Sequence, residues 1–296
     1  MIVGCAGTGP GEQIAPGAKL VVIHAENRFF ECPVWDRRHG QLYFDSYDNK
    51  IDWLVRYDGA GKVTPQPGAE GIGGAFLGRD GRLLAADCNK HRILSFATGP
   101  DGLSDPKVLA ADPSWHQPND LCQLANGDIY FTDPDFKGKK DGGVYHLAAS
   151  GKVTKMVSHL PCPNGVTAAN DGRTLYVSDS QLKEWWSFPV LADGRLGQGR
   201  VFFKPEAKSQ NAPDGLTIDE YGNLYFTGLG GVWIVSPAGQ KLDFIPVPEF
   251  CSNVRFGGPT GPPSIRAGGW WAGRTLYITC SKKVYSLAMR VRGGGW

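Results

Sequence analysis

Four polar side chains, Glu31, Asn119, Asn164 and Asp214, are of the types and in the spacing that could hold one metal ion. Two carboxylates and two amide carbonyls are hard oxygen donors, and neither His nor Cys belongs to the set. Such donors suit Ca²⁺, Mg²⁺ or Mn²⁺, with water filling the remaining positions. Two negative charges would balance a 2+ ion. Each residue also has a plainer reading. Asn164-Gly165 and Asp214-Gly215 are common turn dipeptides, and Pro118-Asn119-Asp120 suits a turn equally well. Register separates the two readings. Three of the four follow a proline (Pro118, Pro163, Pro213), and all four stand about ten residues before copies of one strand motif.

That motif is the ruler. Leu42-Tyr43-Phe44, Leu83-Leu84-Ala85, Ile129-Tyr130-Phe131, Leu175-Tyr176-Val177, Leu224-Tyr225-Phe226 and Leu276-Tyr277-Ile278 are versions of one strand, about 47 residues apart. Gly, Asp and Asn cluster before each copy, as in Asp80-Gly81, Asn126-Gly127 and Asp171-Gly172. They supply the positive φ that tight hairpins demand. An apolar segment precedes the turn, a third strand such as Val144 to Leu147 follows the motif, and a weaker outer strand completes the unit. Four antiparallel strands repeated six times specify an all-β chain folded as a six-bladed β-propeller. Lys19 to His24 has no blade of its own and is expected to supply the fourth strand of the last, closing the ring. The expected organisation is a flexible leader over 1–18 and one propeller domain over 19–296. In a propeller the first strand of each blade lines the channel, so the four donors should meet at one mouth. At the same register the second blade has Gly73, and the sixth has Asn253 once its insertion, Gly261 to Gly273, is set aside. That Gly/Pro-rich insertion carries Trp270 and Trp271 and could cover the mouth.

Composition excludes other classes. The 296 residues include 41 Gly and 21 Pro, well above ordinary shares, as a chain of many short elements and turns requires. The net charge of +2 comes from 31 basic and 29 acidic residues interspersed along the chain, so no nucleic-acid or anionic-membrane partner is indicated. No apolar run is long enough for a membrane span. The seven cysteines form no CxxC pair, and Cys32, Cys162 and Cys251 are read as small buried apolar residues. No GxSxG elbow, HExxH helix or Walker A loop occurs. Ile2-Val3-Gly4-Cys5 resembles the end of a bacterial lipoprotein signal without its charged and apolar parts. The chain as it stands reads as cytoplasmic, and as periplasmic or lipid-anchored if that tetrapeptide is a remnant of such a signal.

Several segments together resemble the SMP-30/gluconolactonase (regucalcin-like lactonase) family. They are Glu31 to Trp35, Pro118-Asn119-Asp120, Phe131-Thr132-Asp133-Pro134, Gly142-Gly143-Val144-Tyr145, Pro163-Asn164-Gly165, Pro213-Asp214-Gly215 and Val254 to Gly258. The resemblance covers roughly residues 19–296. It implies a six-bladed fold, one divalent cation in the channel (Ca²⁺ first, with Mg²⁺, Mn²⁺, Zn²⁺ or Fe²⁺ compatible) and hydrolysis of a sugar or related lactone. It implies ligation by Glu31, Asn164 and Asp214, with Asn119 on the metal in some branches and on the substrate in others. Two positions depart from the family. Gln117 stands where some sugar lactonases have Arg, and Cys32 where Gly is usual.

The expected reaction is metal-assisted opening of a lactone, the ion polarising the carbonyl and lowering the pKa of water. Asp214 is the expected general base, with Glu31 the alternative. Gln117, Asn119 and His116 are expected to contact substrate, although a lone His beside Trp115 is also an ordinary rim residue. Two other readings share the site: an organophosphate-hydrolysing propeller, and a non-catalytic ligand- or protein-binding propeller with a structural metal. The expected partner is a small lactone, and the chain is expected to be monomeric or weakly self-associating.

Overall fold

The computed structural model describes residues 12–48, 50, 52–138, 141–205, 211–258 and 273–294. Among them are 24 strands and no α-helix, in six four-stranded antiparallel sheets. None of the described segments is a helix long and apolar enough to cross a membrane. The channel-lining strands are β2 (Phe29–Asp36), β6 (Ile72–Leu77), β10 (Leu121–Gln123), β14 (Pro163–Ala168), β18 (Leu216–Ile218) and β22 (Cys251–Gly257). Each pairs with the strand carrying the repeated motif: β3 (Gln41–Tyr47), β7 (Leu83–Asp87), β11 (Ile129–Asp133), β15 (Thr174–Asp179), β19 (Leu224–Gly228) and β23 (Thr275–Cys280). The expected six-bladed propeller is the observed fold.

The motif recurs because its residues fill the same place in each blade. Tyr43, Tyr130, Tyr225 and Tyr277 are all fully buried. A buried phenol needs a partner, and each has one. Tyr130 Oη donates to the Gly194 carbonyl at 2.6 Å, Tyr225 Oη to Asp219 Oδ2 at 3.1 Å, and Tyr277 Oη to the Gly258 carbonyl. Between the fourth and fifth blades Trp185 stacks on Phe226 at a centroid distance of 4.7 Å. The hairpin turns need left-handed residues, which Gly127 (φ 93°) and Gly151 (φ 88°) supply in the third blade.

The last blade is built from both ends of the chain. β1 (Val21–Ala25) pairs antiparallel with β24 (Lys283–Ala288), giving the order β1-β24-β23-β22. Part of the expected flexible leader is packed against this blade. Ile14 bridges to Met289, the Ala15 amide donates to the Ala288 carbonyl at 3.1 Å, and Gln13 is fully buried. Ile14, Ala18 and Leu20 rest on the cluster of Cys251, Met289 and Val291, so apolar burial holds a Gly/Pro-rich segment in place. Residues 1–11 lie outside the described residues, as do 261–272 of the insertion with Trp270 and Trp271.

Candidate metal centre

The ring of donors is positioned by the starting ends of the inner strands. Successive strands approach so closely there that glycines are required for space rather than for turns. A Cβ on Gly165 would collide with the Asp214 carbonyl oxygen, one on Gly215 with the Asn253 side chain, and one on Gly74 with the Asn119 carbonyl. The dipeptides Asn164-Gly165 and Asp214-Gly215 are therefore strand contacts, not hairpin turns.

Side chains of the preceding blades lock the backbone at or beside the donors. Thr132 Oγ1 donates to the Asn164 carbonyl, and Ser178 Oγ to the Asp214 carbonyl at 2.6 Å. Thr227 Oγ1 donates to the Ser252 carbonyl at 2.8 Å, and Ser252 Oγ to the Phe30 carbonyl, just before Glu31, at 2.5 Å. Cys88 Sγ plays the same part toward the Pro118 carbonyl at 3.1 Å. Buried polar bonds of this kind fix one arrangement of neighbouring strands.

Glu31, Asn164 and Asp214 are all drawn inside, at 8%, 5% and 9% exposure. Asn164 Nδ2 donates to Ser180 Oγ at 3.0 Å, which leaves its Oδ1 buried with no hydrogen-bond partner. Burial pushes the Glu31 carboxyl up to about 8; hydrogen bonds from Ser252 and Asn253 moderate the rise, and the Asp120 charge adds to it. Burial also lifts Asp214 well above the usual carboxylate range, helped by the charges of Glu31 and Asp120 and opposed by the Asn164 amide. These mutual effects place Glu31, Asp120 and Asp214 in one electrostatic cluster. Asn119 is half-buried, its amide donating to the Thr132 carbonyl at 2.8 Å and its side chain lying toward Gly73. The half-buried Gln117 is anchored by its backbone N–H to Asp133 Oδ1 at 2.7 Å. His116 is turned to Asp141, with Nε2 2.8 Å from Oδ1.

Asp120 and Arg255 were not among the expected residues. Asp120 is 1% exposed and accepts from the amides of Leu121 (2.8 Å) and of Val166 in the next blade (3.1 Å). Burial raises its carboxyl to about 6, with Arg255 pulling it down. Burial lowers the Arg255 guanidinium and Asp120 opposes the shift; its Cζ lies 5.3 Å from the Phe76 ring centroid. Glu31, Asp120 and Asp214 face one guanidinium, and burial opposes the ionisation of Glu31 and Asp214 unless a further positive charge stands beside them. A buried unpartnered carbonyl and two carboxyls that burial keeps from ionising are what a divalent cation would satisfy. The donor set therefore fits such an ion. Arg255 also lines a separate cavity of about 220 Å³ with Val34, Cys122, Thr167 and Thr217. These are later residues of the inner strands, so that cavity opens toward the opposite end of the channel.

Cys32 occupies a strained position. It follows Glu31 in the bulge between Glu31 and Val34 and has φ 41°, in the left-handed region. That region costs a side-chain-bearing residue about 1–2 kcal/mol, which gives the family's glycine a physical reason. Cys32→Gly and Cys32→Ala lose similar packing, but only glycine relieves the backbone. Denaturant unfolding should find the Gly protein the more stable by about 1 kcal/mol; an Ala protein of equal or greater stability would contradict the strain.

The family model for the SMP-30/gluconolactonase/LRE-like region matches residues 29–262. A gluconolactonase of Zymomonas mobilis is 26% identical over 308 residues, covering 93% of this chain and 82% of the relative. Among solved structures, a gluconolactonase from Xanthomonas campestris superposes with a TM-score of 0.76 at 24% identity, covering 96% of each chain. A calcium-binding regucalcin from Agrobacterium tumefaciens superposes with a TM-score of 0.70 at 20% identity, covering 91% of this chain and 96% of that one. Both likenesses establish the fold.

Proposed function

This chain belongs to the SMP-30/gluconolactonase/LRE-like family, and from that premise we propose that it is a metal-dependent hydrolase opening a sugar or related lactone. The observation that carries the reading is the unpartnered Asn164 Oδ1, buried in one cluster with the Glu31 and Asp214 carboxyls, whose ionisation burial opposes without a cation. The gluconolactonase activity named for the Zymomonas mobilis relative supports the substrate class. The calcium binding named for the Agrobacterium tumefaciens neighbour supports Ca²⁺ as the first choice of ion.

Glu31, Asn164 and Asp214, with Asn119, are the residues that would hold the cation. When bound, such an ion supplies Lewis-acid polarisation of a carbonyl and acidifies water. Asp214 takes the proton of the water that attacks the lactone carbonyl. It returns that proton to the ring oxygen as the carbon–oxygen bond breaks, so lactone and water become a hydroxy acid. Burial favours this role, since it raises the basicity of the carboxylate. The Ser178 bond to the Asp214 carbonyl keeps the base in place. Gln117 and Asn119, both half-buried, offer amides to the ring hydroxyls of the substrate. Gln117 lacks the charge of the arginine found in some sugar lactonases, so the preference extends to lactones beyond gluconolactone.

Acid release from a panel of aldonolactones, aliphatic lactones and phosphotriesters tests the reading. The cation-loaded protein should turn over a lactone and leave the phosphotriesters. Turnover of phosphotriesters alone would move the chain to the organophosphate class, and turnover of nothing would leave a binding propeller.

A further inference from the structure

Outside the ring, a second group of side chains of metal-ligating type lies on the same mouth. His116 precedes β10, and Asp135 and Asp141 follow β11. One ligand atom from each lies within 4.8 Å of the other two. His116 Nε2 and Asp141 Oδ1 are already 2.8 Å apart. The decisive member is Asp135. It is 3% exposed, its Oδ1 accepts from the Lys137 amide at 3.0 Å, and its Oδ2 is buried with no hydrogen-bond partner. A carboxylate oxygen enclosed in this way costs free energy unless something answers it. The His116 backbone is held from the other side, its amide donating to both oxygens of Asp133 at 2.9 and 3.0 Å. The imidazole is therefore delivered on a fixed backbone.

We propose that His116, Asp135 and Asp141 form a second cation site, distinct from the ring, that takes a borderline transition-metal ion, Zn²⁺ in the first instance. An imidazole with two carboxylates is a donor set for zinc rather than for calcium, which prefers six to eight oxygens. Zinc holds such ligands at about 2.0–2.2 Å, so tetrahedral ligand atoms stand about 3.4 Å apart. The His116–Asp141 pair at 2.8 Å has to open slightly, and wider separations, all within 4.8 Å, have to close. Three protein ligands leave one position to water. Bound zinc would tie Asp135 and Asp141 to the segment carrying Gln117 and Asn119, and so stiffen the rim where substrate enters.

The test counts zinc. Metal-stripped wild-type protein, the ring double variant Glu31→Gln/Asp214→Asn, and both again with Asp135→Asn are dialysed against Zn²⁺ and analysed for metal per chain. The ring variant should retain one zinc, and adding Asp135→Asn should weaken that binding at least about tenfold. Zn²⁺ should raise the melting temperature of the ring variant and should not do so once Asp135 is replaced. Near-UV dichroism without metal checks that Asp135→Asn is folded. If it is not, His116→Gln in the ring variant decides by the same count. With Co²⁺ as probe, the visible absorption of the ring variant should change in His116→Gln. Zinc binding lost in the ring variant, or unchanged by Asp135→Asn and His116→Gln, would overturn the proposal.

Discussion

Asp214→Asn is expected to abolish most lactone turnover while leaving the metal-free protein no less stable than wild type. The two effects have one origin. Asp214 is buried beside Glu31 and Asp120, and both charges work against its ionisation. An amide of the same shape replaces a carboxyl whose ionisation the metal-free site opposes. It also removes the group that accepts a proton from water, a loss on the order of 10²–10⁴ in kcat. Assayed at saturating cation, the deficit should fall on kcat rather than on KM, because the lactone's ring hydroxyls are assigned to Gln117 and Asn119. Thermal melting of the metal-free variant should match or exceed wild type. A folded, cation-loaded Asp214→Asn protein with full activity would exclude Asp214 as the base and leave Glu31 in that role.

Glu31→Gln should act first on the ion. Glu31 brings its charge into the ring from the bulged start of β2, with Ser252 and Asn253 beside its carboxyl. Its replacement keeps an oxygen donor and the shape, but leaves Asp214 and Asp120 balanced in part by Arg255. Calcium affinity by titration calorimetry should fall roughly 100-fold, equivalent to about 2.7 kcal/mol. Saturating calcium should recover a large part of the rate, which Asp214→Asn should not allow. Equal calcium affinity in wild type and Glu31→Gln would remove Glu31 from the ligand set.

The fold was legible because each blade repeats the same local solution. A buried Tyr at the centre of the motif and glycine turns on either side mark the second strand in most copies. The register of that strand also located Glu31, Asn164 and Asp214, which the structure brings together. Other features depend on partners far along the chain. Thr132, Ser178, Thr227 and Thr279 each follow the motif directly, a recurrence visible in the sequence. Their use was not visible, since Thr132 bonds Asn164 and Ser178 bonds Asp214 across to the next blade. Asp120 was quoted beside Asn119, but its function is set by Val166 and Arg255. No local pattern links these residues. The same holds for Gln13 and Ile14, whose Gly/Pro-rich surroundings suggested a loose leader until Met289 supplied a packing partner.

Lactone opening by the metal-stripped protein, followed by acid release while calcium is titrated back, tests the central claim most directly. The rate should be negligible without added cation. It should rise with calcium and saturate as the site containing Glu31, Asn164 and Asp214 fills with one ion per chain. A stripped protein that opens lactones as fast as the loaded one, or a loaded protein that opens none, would contradict the account.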